Sequence, residues 1–155
     1  MFTDFLLASL HHILVFALFV ILGAQIVLVR PGMDASAIAR VSRLDMVFGM
    51  LAASVLVAGF ARVYWGVKGS AYYFANHIFL TKVGLFVIIG LISIGPTLRF
   101  NAWRKALAAD PNARPEAGDM RRTRMFIHAE ATLIFLLPIL AAAMARGYGI
   151  AHQGG

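Results

Sequence analysis

The sequence predicts an all-α integral membrane protein, a bundle of four transmembrane helices. Three observations carry that expectation. Hydrophobic residues make up 61% of the 155-residue chain and charged residues only 14%, whereas ordinary globular chains sit nearer half apolar and a quarter charged. Mean hydropathy is +0.81. Four long apolar runs fill most of the length, and a run of about 20 apolar residues is what a helix needs to cross the hydrocarbon core of a bilayer. The length suits a single transmembrane domain over residues 1–155, with spans at about 5–29, 44–65, 77–98 and 125–145.

The first run, Phe5 to Val29, has 25 residues without a formal charge, or roughly 37 Å of helix. No basic residue precedes it and no small-residue cleavage pattern follows, so it reads as a retained helix rather than a signal peptide. Arg30-Pro31-Gly32 ends it with two helix breakers. Only 16 residues, Met46 to Ala61, separate Asp45 from Arg62 in the second run. That is roughly 24 Å, too short to cross unless a flanking charge enters the membrane edge. Val83 to Leu98 is equally short, so Lys82 lies inside the third span or Arg99 snorkels out of it. The fourth span starts near Met125 and carries His128 and Glu130 in its first turns. Pro96 and Pro138 fall inside spans, which membrane helices tolerate with a kink. Gly49 and Ala53, four apart on the second span and widened by Ala52, form a small-residue face expected to let helices approach closely. Residues 108–119, with two Pro, one Gly and no apolar period, read as a flexible loop.

The net charge is +7. Basic residues gather beside the apolar runs, which matches anionic headgroups and membrane topology, not nucleic acid. Ten of the 14 Lys and Arg residues fall in the first and third loops. The positive-inside rule puts those loops in the cytoplasm and both termini on the outer, periplasmic side of a bacterial inner membrane. Cysteine is absent, which excludes disulfides, thiolate metal sites and iron–sulfur clusters. No phosphate loop, nucleophile elbow or metalloprotease helix occurs.

Candidate functional residues are the ionisable groups set into the spans, since charge in hydrocarbon marks a functional position by default. With the orientation above, His11, His12, Arg62, His77 and Lys82 share the outer half of the bundle, and Asp4 is the one acid near them. Cations and imidazoles without carboxylates are costly unless an anionic or metallic group joins them. Haem or another porphyrin fits, because propionates need Arg or Lys and iron needs an axial His; a quinone headgroup or lipid phosphate fits less specifically. Adjacent residues point about 100° apart on a helix, so at most one of His11 and His12 is expected to face a shared ligand. The plainer alternative has Arg62 and Lys82 snorkelling to lipid phosphates beside an interfacial belt of Tyr64, Trp65, Tyr72 and Tyr73. On the inner side, Asp45 and Glu130 are expected to form ion pairs with Arg43, Arg121, Arg122 or Arg124. A proton path through His128 and Glu130 is the sharper alternative, and Thr132 shares a face with His128 for an interhelical hydrogen bond. His152, in a Gly-rich tail, is assigned no role.

The run Arg43-Leu44-Asp45, Ala58-Gly59, Arg62, Lys68-Gly69 with Tyr72-Tyr73, Lys82, Pro96-Thr97-Leu98-Arg99-Phe100 and Trp103-Arg104 resembles the DUF2214-type family of small bacterial membrane proteins of unknown function. A looser resemblance rests on Leu10-His11, a basic residue opening the second helix, Lys82, Trp103-Arg104-Lys105 and Thr132-Leu133. In order these are similar to HemJ, the membrane protoporphyrinogen oxidase family associated with haem b, and the copper-resistance D family has a related layout. That resemblance implies His11 as an axial ligand and Lys82 as the matching third-helix lysine. The aromatic-rich segments that follow the histidine in HemJ are missing here.

Two function classes therefore stand. One is a haem b or porphyrin-binding bundle with a redox role: His11 as axial metal ligand, His12 as second choice, and Arg62 and Lys82 on the propionates. A quinone or porphyrin would be its redox partner. The other is a non-enzymatic accessory or assembly subunit that meets a membrane protein partner or forms a homo-oligomer. Solute or metal transport ranks last, because the midplane is nearly all aliphatic.

Overall fold

The computed structural model describes residues 2–149, and they are all-helical, with no strand among them. Five helices follow in order: α1 Phe2–Leu28, α2 Ala35–Trp65, the short α3 Gly69–Phe74, α4 His77–Ala109 and α5 Ala117–Ala145. The four long ones are each apolar and long enough to cross a membrane. α1 packs on α2 and α4 on α5, as consecutive hairpins do; α2 against α4 and α1 against α5 close the ring. One end of this bundle carries α3 (the α3 pole). The other carries the turns at 29–34 and 110–116 (the basic pole).

Each expected span lies inside one of these helices to within a residue, but three helices run well beyond theirs at the basic pole. α2 begins at Ala35, α4 continues to Ala109 and α5 starts at Ala117. The extra turns are amphipathic. Ala37, Ile38 and Val41, then Phe100 and Trp103, then Met120, Thr123 and Ile127 are buried at three- and four-residue spacing, the period of one helical face. The flexible loop expected over 108–119 therefore shrinks to a turn at 110–116. Asp110 shapes it by accepting from Asn112 N–H at 2.8 Å.

Side chains cap the starts of α2 and α4. Gly32, at φ +77°, makes the tight turn after α1. Asp34 caps α2, its carboxylate accepting from Ala37 N–H at 2.7 Å and from the Ser36 hydroxyl at 2.8 Å; these donors hold the Asp34 carboxyl below the usual carboxylate range. Asn76 is fully buried and caps α4 by accepting from Ile78 and Phe79 N–H. Its amide also donates to the Tyr148 carbonyl at 3.1 Å, tying the chain after α5 to the start of α4.

The core is asymmetric along the bundle. Val29, Met33, Ile38, Val41, Phe100 and Ile127 are all at most 3% exposed and fill the half nearest the basic pole. The small-residue face expected at Gly49 and Ala53 is not a seam: both are exposed, and a Cβ on Gly49 would meet nothing. Close approach occurs elsewhere, at Gly95 against the Phe126 ring and at Gly59 against His11. Spacing alone marks a small-residue stripe but not which way it faces.

Candidate functional site

The α3-pole half of the bundle is not filled. A cavity of about 440 Å³ opens there, lined by stretches of α1, α2, α4 and α5 and by Tyr73 of α3. All four residues singled out as candidate ligands, His11, His12, Arg62 and Lys82, stand in its wall. The remaining wall is mostly aliphatic and aromatic. Few polar groups in an apolar cleft of this size is the usual make-up of a site for an organic ligand, which spans about 300–1,000 Å³.

His11 is held by the backbone of α2. Its ring lies over Gly59, where a Cβ would stand 3.4 Å from His11 Cε1 and 3.7 Å from Nδ1. Any residue larger than Gly or Ala would displace the ring. The Val55 carbonyl is within reach, yet the buried Nδ1 makes no hydrogen bond of good geometry. His12 is exposed, and its Nδ1 donates to the Ala8 carbonyl at 2.6 Å. That bond orients the ring in the way that carbonyls orient metal-binding histidines. The two rings meet edge to face, 6.1 Å apart. Both line the cavity, so the lining by itself does not choose which of them would face a shared ligand.

Arg62 and Lys82 are half-buried, and Arg62 Nε is sealed from solvent without a hydrogen-bond partner. Asp4 does not neutralise them. Its carboxylate accepts from Val67 N–H at 3.3 Å, in the turn after α2. Among the described residues the one ion pair is Arg99–Asp119 at 2.7 Å, at the basic pole. The cavity thus holds two cations and two imidazoles and no acid.

Other candidates lie apart from it. His77 is exposed at the start of α4 and receives the Gly149 carbonyl on its backbone N–H. His128 is exposed, and Thr132 donates to its carbonyl within α5, not across helices. Tyr64 and Trp65 are exposed, as an interfacial belt requires, but Tyr73 is buried in the cavity wall. Tyr72 accepts from Lys68 Nζ at 3.1 Å. His152 lies outside the described residues. Sequence reasoning missed Tyr73, Gly59 and Pro138 as wall residues; nothing in their local pattern distinguishes them from ordinary packing.

The expected ion pairs of Asp45 and Glu130 do not form. Glu130 is 2% exposed and its Oε1 has no partner. Arg124, the nearest basic candidate in sequence, instead donates to the Val29 carbonyl at 2.7 Å. It closes the end of α1, whose last turn has no basic residue of its own. Six residues apart on α5, the Glu130 and Arg124 side chains point about 120° apart around the helix.

The donor set does not suit a bare metal ion. Among the described residues no group of three or more His, Cys, Asp or Glu is placed to hold one, and protein zinc sites take three or four such ligands. A macrocycle that brings its own equatorial nitrogens needs only one or two imidazoles, and these are present. No curated protein and no solved structure matches the chain. The model of one family, described as "Predicted membrane protein (DUF2214)", matches residues 3–149, nearly the whole chain. The chain is therefore a membrane protein with four apolar helices, and it belongs to the DUF2214 family.

Proposed function

We propose that the α3-pole cavity binds haem b or a closely related porphyrin. The observation that carries this reading is the wall itself: two imidazoles and two unneutralised cations around an apolar cleft. His11 would serve as axial ligand through Nε2, since Nδ1 is buried against α2. His12, with its ring already oriented by Ala8, is the alternative or the second ligand. Arg62 and Lys82 would hold the propionates, which supply the negative charge that Asp4 does not. When bound, such a group supplies one-electron chemistry, in keeping with a HemJ-like redox role in which electrons pass to a quinone or a membrane partner. The chain's own part is to exclude water, fix the imidazoles and neutralise the acids.

The topology that accompanies this reading places the α3 pole on the periplasmic side of a bacterial inner membrane, because ten of the 14 Lys and Arg residues belong to the basic pole. The test is a reduced-minus-oxidised absorbance spectrum of the protein purified in mild detergent after haem supplementation. A b-type spectrum lost in His11→Ala and weakened in Lys82→Gln supports the assignment. A protein that folds, yet shows no haem bands, removes it and leaves the accessory-subunit reading.

A further inference from the structure

The seam between α1 and α5 changes character along its length. Toward the basic pole it is shut: Gln25 is 2% exposed, and Arg124 of α5 donates to the Val29 carbonyl at 2.7 Å. Midway, the Phe19 and Phe135 rings meet with centroids 5.0 Å apart. On the α3 side of that contact, no hydrogen bond or aromatic contact joins the two helices among the described residues. Helical spacing carries each facing stripe onward from the ring pair. On α1 it runs through Phe16 to His12, and on α5 through Pro138 to Ala142 and Ala145. All five line the cavity and all five are exposed, Phe16 at 67%. Beyond Phe135 the α5 stripe offers only proline and alanine, small side chains that leave the seam unfilled.

The end of the cavity is covered where its flank is not. Tyr73 of α3 is buried in the wall at the α3 pole, and the Tyr72 hydroxyl donates to the Met144 carbonyl at 3.4 Å, tying α3 to α5. Asp4 ties the start of α1 to the turn after α2. The open seam lies within two apolar spans, so hydrocarbon and not water faces it. Arg62 on α2 and Lys82 on α4 belong to the two helices that complete the ring, across the cavity from the seam. A ligand that reaches both cations puts an anionic end at the far wall and an apolar body toward the lipid.

We propose that the cavity loads from the bilayer through the α1–α5 seam, and that its ligand is a membrane-dissolved amphiphile whose carboxylate end Arg62 and Lys82 hold. The proposal rests on reading the cavity as a ligand site; haem b belongs to this class, but the class does not require haem. The test uses vesicles reconstituted with the full chain and two probes dissolved in the lipid beforehand. Haemin is read by absorbance, and a stearic acid with a nitroxide on its chain by the immobilised component of its spin resonance spectrum. At least one probe should load, and Arg62→Gln/Lys82→Gln should lose most of that binding. Phe16→Cys with Ala142→Cys, bridged across the seam by a cleavable bis-maleimide, should not load on the time scale of the unbridged protein. Cleaving the bridge should restore loading, which separates a closed seam from a misfolded chain. Ala142→Trp narrows the same seam without a bridge and should slow loading several-fold. Loading at the unbridged rate in the bridged protein, or at the wild-type rate in Ala142→Trp, would overturn entry through the seam and leave the haem reading intact. Stearate loading that the bridge blocks, without haem bands, supports the seam and removes haem as the ligand. No loading of either probe, or loading unchanged in Arg62→Gln/Lys82→Gln, would overturn the ligand class itself.

Discussion

Gly59 sets how near His11 comes to α2, and so how the imidazole edge meets the cavity. With a Cβ 3.4 Å from the ring, alanine is just accommodated and valine is not. Gly59→Ala is expected to keep the haem difference spectrum, and Gly59→Val to lose most of it while the protein stays helical by circular dichroism. Loss in the alanine variant, or none in the valine variant, would contradict the packing described. Asp34 offers a test outside the spans. Its carboxyl lies below the usual range because Ala37 N–H and the Ser36 hydroxyl favour the ionised form. A depressed pKa in the folded chain stabilises it above the unfolded value, and the effect fades as pH falls through the folded one. Asp34→Ala should therefore lower the melting temperature at neutral pH and make little difference in acid below the carboxylate range. The sequence named His11, His12, Arg62 and Lys82 because charge in an apolar run is conspicuous. It did not single out Gln25, whose uncharged amide leaves the run formally neutral.

Among the elements, α1 depends on its neighbour at one end. It has no basic residue in its last turn, and Arg124 of α5 supplies the positive charge and the hydrogen bond at Val29. Arg124→Ala is expected to destabilise the bundle by about 1–2 kcal/mol, in the range for a charge-assisted bond near the surface, as read from unfolding in increasing denaturing detergent. A change below the error of that titration would show that the bond is made but unimportant. The basic-pole extensions were half legible. Their Arg and Lys residues, with Pro111 and Pro115 in the turn between α4 and α5, read as loop, but Phe100 and Trp103, and Met120, Thr123 and Ile127, keep the helical period. That period is weaker evidence than a long apolar run, because each face presents only two or three apolar residues.

For the molecule as a whole, orientation is the open quantity that a direct experiment decides. Cysteine is absent, so single-cysteine variants give clean labelling. Ser70→Cys, in α3, should react with a membrane-impermeant thiol reagent in intact cells. Asn112→Cys, in the turn at the basic pole, should react only after permeabilisation; the reverse pattern would invert the proposed topology. The sequence by itself determined the membrane class and the number of long helices, because apolar length is local and additive along a chain. Only the tertiary structure decided that His11, His12, Arg62 and Lys82 line one cavity, that Asp4 serves a turn, and that Glu130 is buried with its Oε1 unpartnered. Those outcomes depend on how each helix is rotated about its own axis, which packing across four helices sets and no single helix encodes.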